Sequence, residues 1–264
     1  MKWYFGAVLI FGLITTSLFN PGGSIPPAAD DLIPKGEPVV MSGFNADVDS
    51  GAVEDIWERG ETWDAPSVGQ VHNITSTSDT DSAGKTGALR IVVMGLDSTW
   101  LQVSESVVLD GTNAVATSNK YSIIYRMYVD SAGSGGANAG NILATASVSD
   151  SVTAQIDAGY NQTNMLIYQI PANRYGYLHS IFASLNQDAL GTGTAGIRLY
   201  TKNFGEVWKM ESLRGVTAAG NNSFDQHFPM PLRLAPKTLL KISALATKNN
   251  SAVSAGLNLS LHKN

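Results

Sequence analysis

Two aspartates in the first third of the chain have the spacing of a calcium-binding loop. The segment STSDTDSAG places Asp79, Asp81 and Gly84 in the order D-x-D-x-x-G, which resembles the start of such a loop. Ca²⁺ takes about six to eight oxygen ligands, and no glutamate follows at the position that would close the coordination sphere. The segment therefore predicts a turn in which the aspartates bond the local backbone, with a weak calcium site at Asp79 and Asp81 as the alternative.

Other residue types that take part in catalysis are present, but not in catalytic spacing. Residues 84–86 read GKT, yet the position at which a phosphate-binding loop needs its first glycine holds Asp79. The nucleophile motif G-x-S-x-G is absent, and no two histidines have the spacing of a metal site. The four histidines are His72, His179, His227 and His262. We therefore predict that the chain is not an enzyme and holds no cofactor, the calcium alternative apart.

The tryptophans offer a different chemistry, the stacking of a sugar ring on an aromatic face. Those in or beside predicted strands are Trp57, Trp63, Trp100 and Trp208. Because nothing clusters them in the sequence, packing in the core or in a subunit interface is the favoured interpretation. A carbohydrate-stacking platform is the alternative.

The first nineteen residues are predicted to form an apolar helix. One charge, at Lys2, precedes an uncharged run from Trp3 to Phe19. About 17 helical residues span roughly 26 Å, slightly less than the ~30 Å hydrocarbon core of a membrane. The favoured interpretation is a retained membrane anchor or an arm packed against other subunits, and a cleaved signal peptide is the alternative. The side chains expected to make these contacts are Trp3, Tyr4, Phe5, Leu9, Ile10, Phe11, Leu13 and Phe19.

A tether and then a β-rich body are predicted to follow this helix. Residues 20–40 hold five of the ten prolines, which favours an extended tether. After Met41, short segments rich in Val, Ile, Thr and Tyr alternate with clusters of Gly, Asn, Asp and Ser. The predicted fold class is all-β, with two tandem β-sandwich or jelly-roll units over residues 41–155 and 156–264.

Three segments of the body carry sharper expectations. Residues 88–111 alternate apolar and polar side chains on both sides of the turn GLDS, which predicts a hairpin. Glu105 falls on the apolar side of that hairpin, so we expect the strand to bulge or leave the core there. Residues 130–142 are too rich in glycine for a strand interior and predict a flexible excursion or a close-packed loop. Residues 54–63 are predicted as a strand.

Composition excludes several functional classes. The chain has no cysteine, which rules out disulfides, thiolate nucleophiles and cysteine-ligated zinc. Its formal net charge is −5, and its 17 basic residues are scattered singly. A nucleic-acid-binding surface needs clustered Lys and Arg to replace counterions, so no nucleic-acid partner is predicted.

Several stretches of the body resemble a group of uncharacterised virion structural proteins of marine bacteriophages. The likeness runs through GLDSTWLQVSESVVLDG, VATSNKYSIIYRMYVDSAGSGGANAGNI, QIDAGYNQTNMLIYQIPANRYGYLHSIFASL, GIRLYTKNFGEVWK, FDQHFPMPLRLAPKTLLKISA and VSAGLNLSL. It covers most of residues 42–262 and includes no catalytic motif. The resemblance implies a β-rich structural protein of a phage particle, of capsid, decoration or fibre type.

Three functions remain open on this basis. The first is a capsid-shell protein with tandem jelly rolls, whose N-terminus contacts the membrane of a lipid-containing virion. The second is a fibre, spike, tail or decoration protein of a tailed phage. The third is a secreted or surface-anchored bacterial β-sandwich that binds glycans. The expected partners are further copies of the chain as a homo-oligomer, other virion proteins and a lipid membrane. The expected location is the virion, with an exported or membrane-anchored protein as the alternative.

Overall fold

The computed structural model describes residues 36–186 and 193–264, and this part of the chain is all-β. It contains sixteen strands and no helix within those ranges. In chain order the strands are β1 (Glu37–Val48), β2 (Glu54–Asp55), β3 (His72–Ser76), β4 (Ala88–Asp97), β5 (Gln102–Val108), β6 (Val115–Ala116), β7 (Tyr121–Ala132), β8 (Ile142–Ala146), β9 (Val152–Ile156), β10 (Ile167–Gln169), β11 (Arg174–Asn186), β12 (Thr194–Lys202), β13 (Lys209–Thr217), β14 (Ser223–Leu234), β15 (Leu239–Ala246) and β16 (Ser251–Lys263). The all-β class predicted from the sequence is confirmed.

The strands form antiparallel sheets that draw on two parts of the chain. Strands β3–β9, here called the inner strand set, form sheets of order β6-β3-β8-β9 and β5-β4-β7. The remaining strands, called the outer strand set, form a sheet of order β1-β16-β11-β14 and a sheet of order β10-β15-β12-β13, with β2 beside β15. The inner set is therefore inserted in the sequence between β2 and β10 of the outer set.

The N-terminal strands join the C-terminal sheets. In β1, Val39 lies opposite Leu259 of β16, and in β2, Asp55 lies opposite Ser243 of β15. The first two strands of the predicted unit 41–155 therefore pair with strands of the predicted second unit. The change of strand partners after β9, which ends at Ile156, lies next to the predicted boundary.

The predicted tether is only partly within the described chain. Residues 1–19, predicted as the apolar helix, and residues 20–35 of the tether lie outside the described residues. Residues 37–40 belong to strand β1, so the tether prediction is wrong at its C-terminal end. The physical reason is that Val39 packs on the core while pairing with β16, and Pro38 is tolerated because β1 is an edge strand.

Alternating burial explains why β16 forms and where it packs. Its apolar residues at every second position are buried, and they are Val253, Ala255, Leu257, Leu259 and Leu261. Small polar residues occupy most of the positions between them. β16 pairs along its length with β1 on one side and β11 on the other, so it is a central strand. Buried side chains of both strand sets belong to one hydrophobic cluster.

The hairpin predicted over residues 88–111 is present as β4 and β5. The pairing runs from Arg90 opposite Val108 to Leu96 opposite Gln102, with no shift of register. The bulge expected at Glu105 does not form. Its carboxylate instead accepts hydrogen bonds from the backbone N–H of Ser118 and Asn119 and from the hydroxyl of Tyr121, so the strand keeps its register.

The strand predicted over residues 54–63 is limited to β2, and the rest of the segment is irregular. The cause is Asp55, whose carboxylate accepts the backbone N–H of Trp63 at 2.7 Å and folds the chain back on itself. The buried indole of Trp63 then donates to the carbonyl of Thr153 in β9 at 2.9 Å. This irregular segment therefore connects the outer and inner strand sets.

Candidate functional site

The predicted membrane or assembly contacts of the N-terminal segment lie outside the described residues. This applies to Trp3, Tyr4, Phe5, Leu9, Ile10, Phe11, Leu13 and Phe19. Within residues 36–186 and 193–264, there is no helix with the length and apolar character needed to cross a membrane.

Asp81, one of the two calcium candidates, organises a buried turn. Its side chain is fully buried, and its carboxylate accepts backbone N–H groups from Ala88, Ala139 and Gly140 at 2.7–2.8 Å. The hydroxyl of Ser76 donates a fourth hydrogen bond at 2.6 Å. These donors approach the carboxylate from several directions and partly offset its negative charge.

The glycine-rich residues 130–142 complete this turn as a close-packed loop, one of the two predicted alternatives. A Cβ at Gly133 would lie 2.0 Å from the carbonyl oxygen of Lys85, and a Cβ at Gly87 would lie 2.2 Å from Asp81 Oδ1. Only glycine allows the backbone to approach this closely at both positions. The loop thereby delivers the N–H groups of Ala139 and Gly140 to Asp81.

Asp79, the second calcium candidate, has separate partners at the surface. Its carboxylate accepts the hydroxyl of Thr112 at 2.8 Å. In the described part of the chain, no group of three or more His, Cys, Asp or Glu side chains is placed to hold a metal ion. The structure thus gives Asp81 a role in the turn, and the calcium site stays a prediction.

A second buried carboxylate, Asp55, lies in the outer strand set. It accepts the ammonium of Lys241 at 2.7 Å and the hydroxyl of Ser243 at 2.5 Å, in addition to the N–H of Trp63. The ammonium of Lys241 also lies 4.7 Å from the ring centroid of Trp208. A buried ion pair with further hydrogen bonds and an aromatic neighbour is therefore built into the middle of β15.

Trp100 lies on a tight turn between β4 and β5. Its φ of 60° is in the left-handed region, which is uncommon for a bulky residue. Asp97 holds this turn, because its carboxylate accepts the N–H groups of Thr99 and Leu101. The carboxyl is partly desolvated, which raises its pKa, but the hydrogen bonds from Thr99 and Leu101 outweigh this and lower the pKa of Asp97 overall. The carbonyl of Trp100 accepts the N–H of Ala172 at 2.8 Å, which ties the turn to the outer strand set.

Trp100 forms one wall of a groove between the two strand sets, here called the junction groove. The groove has a volume of about 640 Å³. Its walls come from residues 65–69, from Ser98, Trp100 and Ser122, from Gln169, from residues 202–206, and from Lys237 and Leu239. The rings of Trp100 and Phe204 meet edge to face at 5.1 Å, and the Lys237 ammonium lies 4.1 Å from the Trp100 centroid. The groove thus combines aromatic faces with a cation.

Strands β13 and β14 adjoin at the edges of the outer sheets, and neither contributes a residue to the lining of the junction groove. Gln226 of β14 accepts hydrogen bonds from Ser212 and Arg214 of β13, which fixes the two strands side by side. Large apolar side chains project from these strands into solvent. They are Met210, Leu213 and Met230, which are 53%, 50% and 86% exposed. We call these three residues the edge patch.

The histidines that were far apart in the sequence are partly brought together. The Nε2 atoms of His179 and His262 lie 2.8 and 2.9 Å from the Ser260 hydroxyl, on adjacent strands β11 and β16. Among the described residues no carboxylate hydrogen-bonds either imidazole, so the arrangement lacks the third group that orients a catalytic base. His72 is buried elsewhere, and burial lowers its pKa to about 4.

Among the described carboxyl groups, that of Glu58 has the largest upward pKa change. Burial raises the pKa of its carboxyl to about 8, although the backbone N–H of Asn164 bonds to it and favours the charged form. Its second oxygen, Oε2, is buried without a hydrogen-bond partner. The carboxyl is therefore protonated over much of the neutral pH range.

Sequence reasoning found only part of these features. Trp100 and Trp208 were singled out as packing or stacking residues, and each has an exposed fraction and a lysine neighbour. Trp57 and Trp63 are core residues, each only 2% exposed. Phe204 and Lys237 were missed because they are 33 positions apart and meet only through the pairing of β12 with β15.

Comparisons with known proteins add little. No protein-family profile matches the chain, and no curated protein matches it. A crystal structure of the infectious bursal disease virus VP2 subviral particle has 11% sequence identity to this chain and a TM-score of 0.22. The match covers 91% of this chain and 74% of the VP2 chain. A structure of the Gx strain of the same virus has 11% sequence identity and a TM-score of 0.23. That match covers 90% of this chain and 75% of the viral chain. Scores of this size decide neither fold nor function.

Proposed function

We propose that the chain is a structural protein of a bacteriophage particle, and that it works as a subunit of the capsid shell. The observation that carries the proposal is the edge patch. Met210, Leu213 and Met230 expose large apolar side chains on adjoining edge strands, whereas a monomer gains nothing by keeping them in water. The sequence resemblance to phage virion proteins supports the same assignment. A fibre, spike, tail or decoration protein is the second candidate.

The edge strands favour contact through side chains over addition of further strands. Pro229 and Pro231 lie in β14 and cannot donate backbone hydrogen bonds, which blunts this edge against uncontrolled pairing. Shell subunits need defined contacts with neighbouring copies, and an apolar patch beside a proline-blocked edge meets that need. We expect each contact to bury more than about 1,000 Å² in total. We further propose that the two strand sets act as two β-sandwich units within this subunit.

Charge substitutions in the edge patch test the proposal. Leu213→Glu and Met230→Glu should prevent assembly in sedimentation experiments with the other particle proteins, because a carboxylate cannot enter an apolar contact unpaired. Val148→Glu is the matched control, since Val148 is 75% exposed on the inner strand set. A wild-type chain that stays monomeric at high concentration with the other particle proteins present would contradict the assignment.

We propose in addition that the N-terminal apolar segment contacts the membrane of the particle. Replacing Leu9 and Leu13 together by Asp should abolish this association while the body stays folded, because each carboxylate in the hydrocarbon costs about 2.5–3.5 kcal/mol. Flotation with lipid vesicles measures the association. Intact-mass measurement is the companion experiment, and a mature chain that begins near Leu18 would replace this proposal by a cleaved signal and favour an exported protein.

A further inference from the structure

The junction groove presents an apolar aromatic surface to solvent on rigid supports. Phe204 is 61% exposed at the tip of the loop between β12 and β13, and its ring is held edge to face against Trp100. Trp100 is fixed by the Asp97 turn and by its hydrogen bond to Ala172. A ligand that stacks on these rings therefore meets a surface that needs little reorganisation.

The groove also carries two cations without acidic partners. Lys237 and Lys202 lie over aromatic rings, Lys237 over Trp100 and Phe204 and Lys202 over Trp208. Neither lysine forms an ion pair within the described residues. Glu206 at the rim is paired with Lys209, so its charge is already compensated. In a chain of net charge −5, this local excess of positive charge selects an anionic ligand.

The remaining walls of the groove carry groups that both donate and accept hydrogen bonds. Ser67 and Ser98 line it beside the aromatic residues, whereas the amide of Asn203 is already bonded to Glu206 and Thr238. Serine hydroxyls match the hydroxyls of a sugar, because both can donate and accept a hydrogen bond. A pyranose ring adds a face of C–H groups, and these pack on the electron-rich face of an aromatic ring.

We propose that the junction groove binds an acidic saccharide. The pyranose face stacks on the exposed ring of Phe204, which Trp100 supports edge to face, and the carboxylate or sulfate groups of the ligand bind the ammonium groups of Lys202 and Lys237. The volume of about 640 Å³ lies in the range of small-ligand sites, about 300–1,000 Å³. This binding function is independent of shell assembly, because none of the edge-patch residues lines the groove.

Titration calorimetry on the full chain tests the assignment with defined probes. Trigalacturonate and a sulfated chondroitin tetrasaccharide supply the acidic ligands, maltotriose is the neutral control, and hexaglutamate is the acidic peptide control. At least one acidic saccharide should bind tenfold or more tightly than maltotriose and hexaglutamate. Raising the salt concentration should weaken this binding, since part of it is electrostatic.

Four variants locate the binding. Phe204→Ala and Lys237→Gln should each weaken the acidic saccharide by about fivefold or more, while the unfolding midpoint stays within a degree or so because both side chains act at the surface. Tyr160→Ala and Lys85→Gln replace an exposed aromatic and an exposed lysine outside the groove, and should leave binding unchanged. The proposal is overturned if no acidic saccharide binds, if both groove variants bind like wild type, or if hexaglutamate binds equally tightly.

Discussion

Asp81 lies in the turn that closes the inner strand set, Asp55 lies in the outer strand set, and both carboxylates are buried. Asp81 is surrounded by backbone N–H groups and one hydroxyl, and no Lys or Arg of the described residues pairs with it. Asp55 is bound by the ammonium of Lys241, which is 186 positions away in the sequence. The comparison shows two ways of stabilising a buried charge, through a loop that wraps around it and through a charged partner on a neighbouring strand.

The difference has a structural consequence. The backbone donors of Asp81 belong to Ala88 and to residues 139–140, and Ser76 adds a hydroxyl, so the carboxylate joins the turn 81–88 to the loop 130–142. Asp55 and Lys241 act between elements that are already paired as strands, and they join the first part of the chain to its end. Losing Asp81 should therefore disorder loops, whereas losing Asp55 should leave a lysine without its counter-charge.

Removing the Asp81 carboxylate should have the largest effect. Asp81→Ala leaves two buried N–H groups and one part-buried N–H group without an acceptor, and each buried group costs about 1–3 kcal/mol. The expected loss is about 4–6 kcal/mol in the free energy of unfolding, measured by urea denaturation. Asp81→Asn should be nearly as damaging, because its NH₂ group would face other donors. A loss below about 1 kcal/mol for both variants would contradict the role assigned to this carboxylate.

Removing Asp55 should cost slightly less and should be correctable by one further substitution. Asp55→Ala leaves the Lys241 ammonium buried and unpaired, with an expected loss of about 3–5 kcal/mol. The double variant with Lys241→Met should recover at least half of that loss, because no charge is then left buried. Asp81→Ala offers no equivalent rescue, since its partners are mostly backbone groups. If the stability losses of Asp55→Ala and Lys241→Met simply add in the double variant, the two side chains are not coupled. That result would contradict the difference drawn here between Asp55 and Asp81.

A third carboxyl, that of Glu58, extends the comparison to a group that has one backbone N–H donor from Asn164 and no charged partner among the described residues. Its folded pKa of about 8 exceeds its ordinary value of 4.5, so the unfolded chain releases this proton at lower pH than the folded chain. The contribution of Glu58 is therefore complete below about pH 4.5 and is lost as the pH rises toward 8. Glu58→Gln should raise the free energy of unfolding at pH 8 by about 2–4 kcal/mol and leave it unchanged at pH 4.5.

The control for this pH dependence is Glu61→Gln, since the Glu61 side chain is 69% exposed. Its unfolding profile should follow that of wild type at every pH. His72 contributes a slope of the opposite sign, because its lowered pKa makes stability fall as the pH drops from about 6.5 through 4. A Glu58→Gln chain with the same loss of stability between pH 5 and 8 as wild type would show that another group causes it.

The sequence carried enough information for the class of fold but not for its connections. Alternation of apolar and polar residues is a local signal, and it predicted the hairpin of β4 and β5. The pairing of β1 with β16 joins residues more than 200 positions apart, so no local pattern reveals it. Pro38 is typical of an extended tether, and for this reason the start of β1 was predicted as part of one.

The same limit applies to the candidate site. Trp100 could be singled out by its residue type, whereas its partners Phe204 and Lys237 become neighbours only through the outer sheets. The motif D-x-D-x-x-G drew attention to Asp81 correctly, yet residue spacing does not reveal which donors surround a carboxylate. Two of the three N–H groups that bind it come from the glycine-rich loop, 58 and 59 positions later.

Asp79 provides the smallest expected effect and the sharpest contrast with Asp81. Asp79→Ala removes one exposed hydrogen bond to Thr112 and should cost less than about 1 kcal/mol.

The two aspartates, Asp79 and Asp81, also allow a test of the two interpretations of the D-x-D motif, a turn or a calcium site. A calcium site with a Kd near 1 mM would add about 1.4 kcal/mol of stability in 10 mM Ca²⁺, because the ion binds only the folded chain. Since Asp81 already has four donors, we expect 10 mM Ca²⁺ and EDTA to give the same unfolding midpoint. A calcium-dependent rise that disappears in Asp79→Ala would instead establish the metal site, and the Asp81 turn would then be its scaffold.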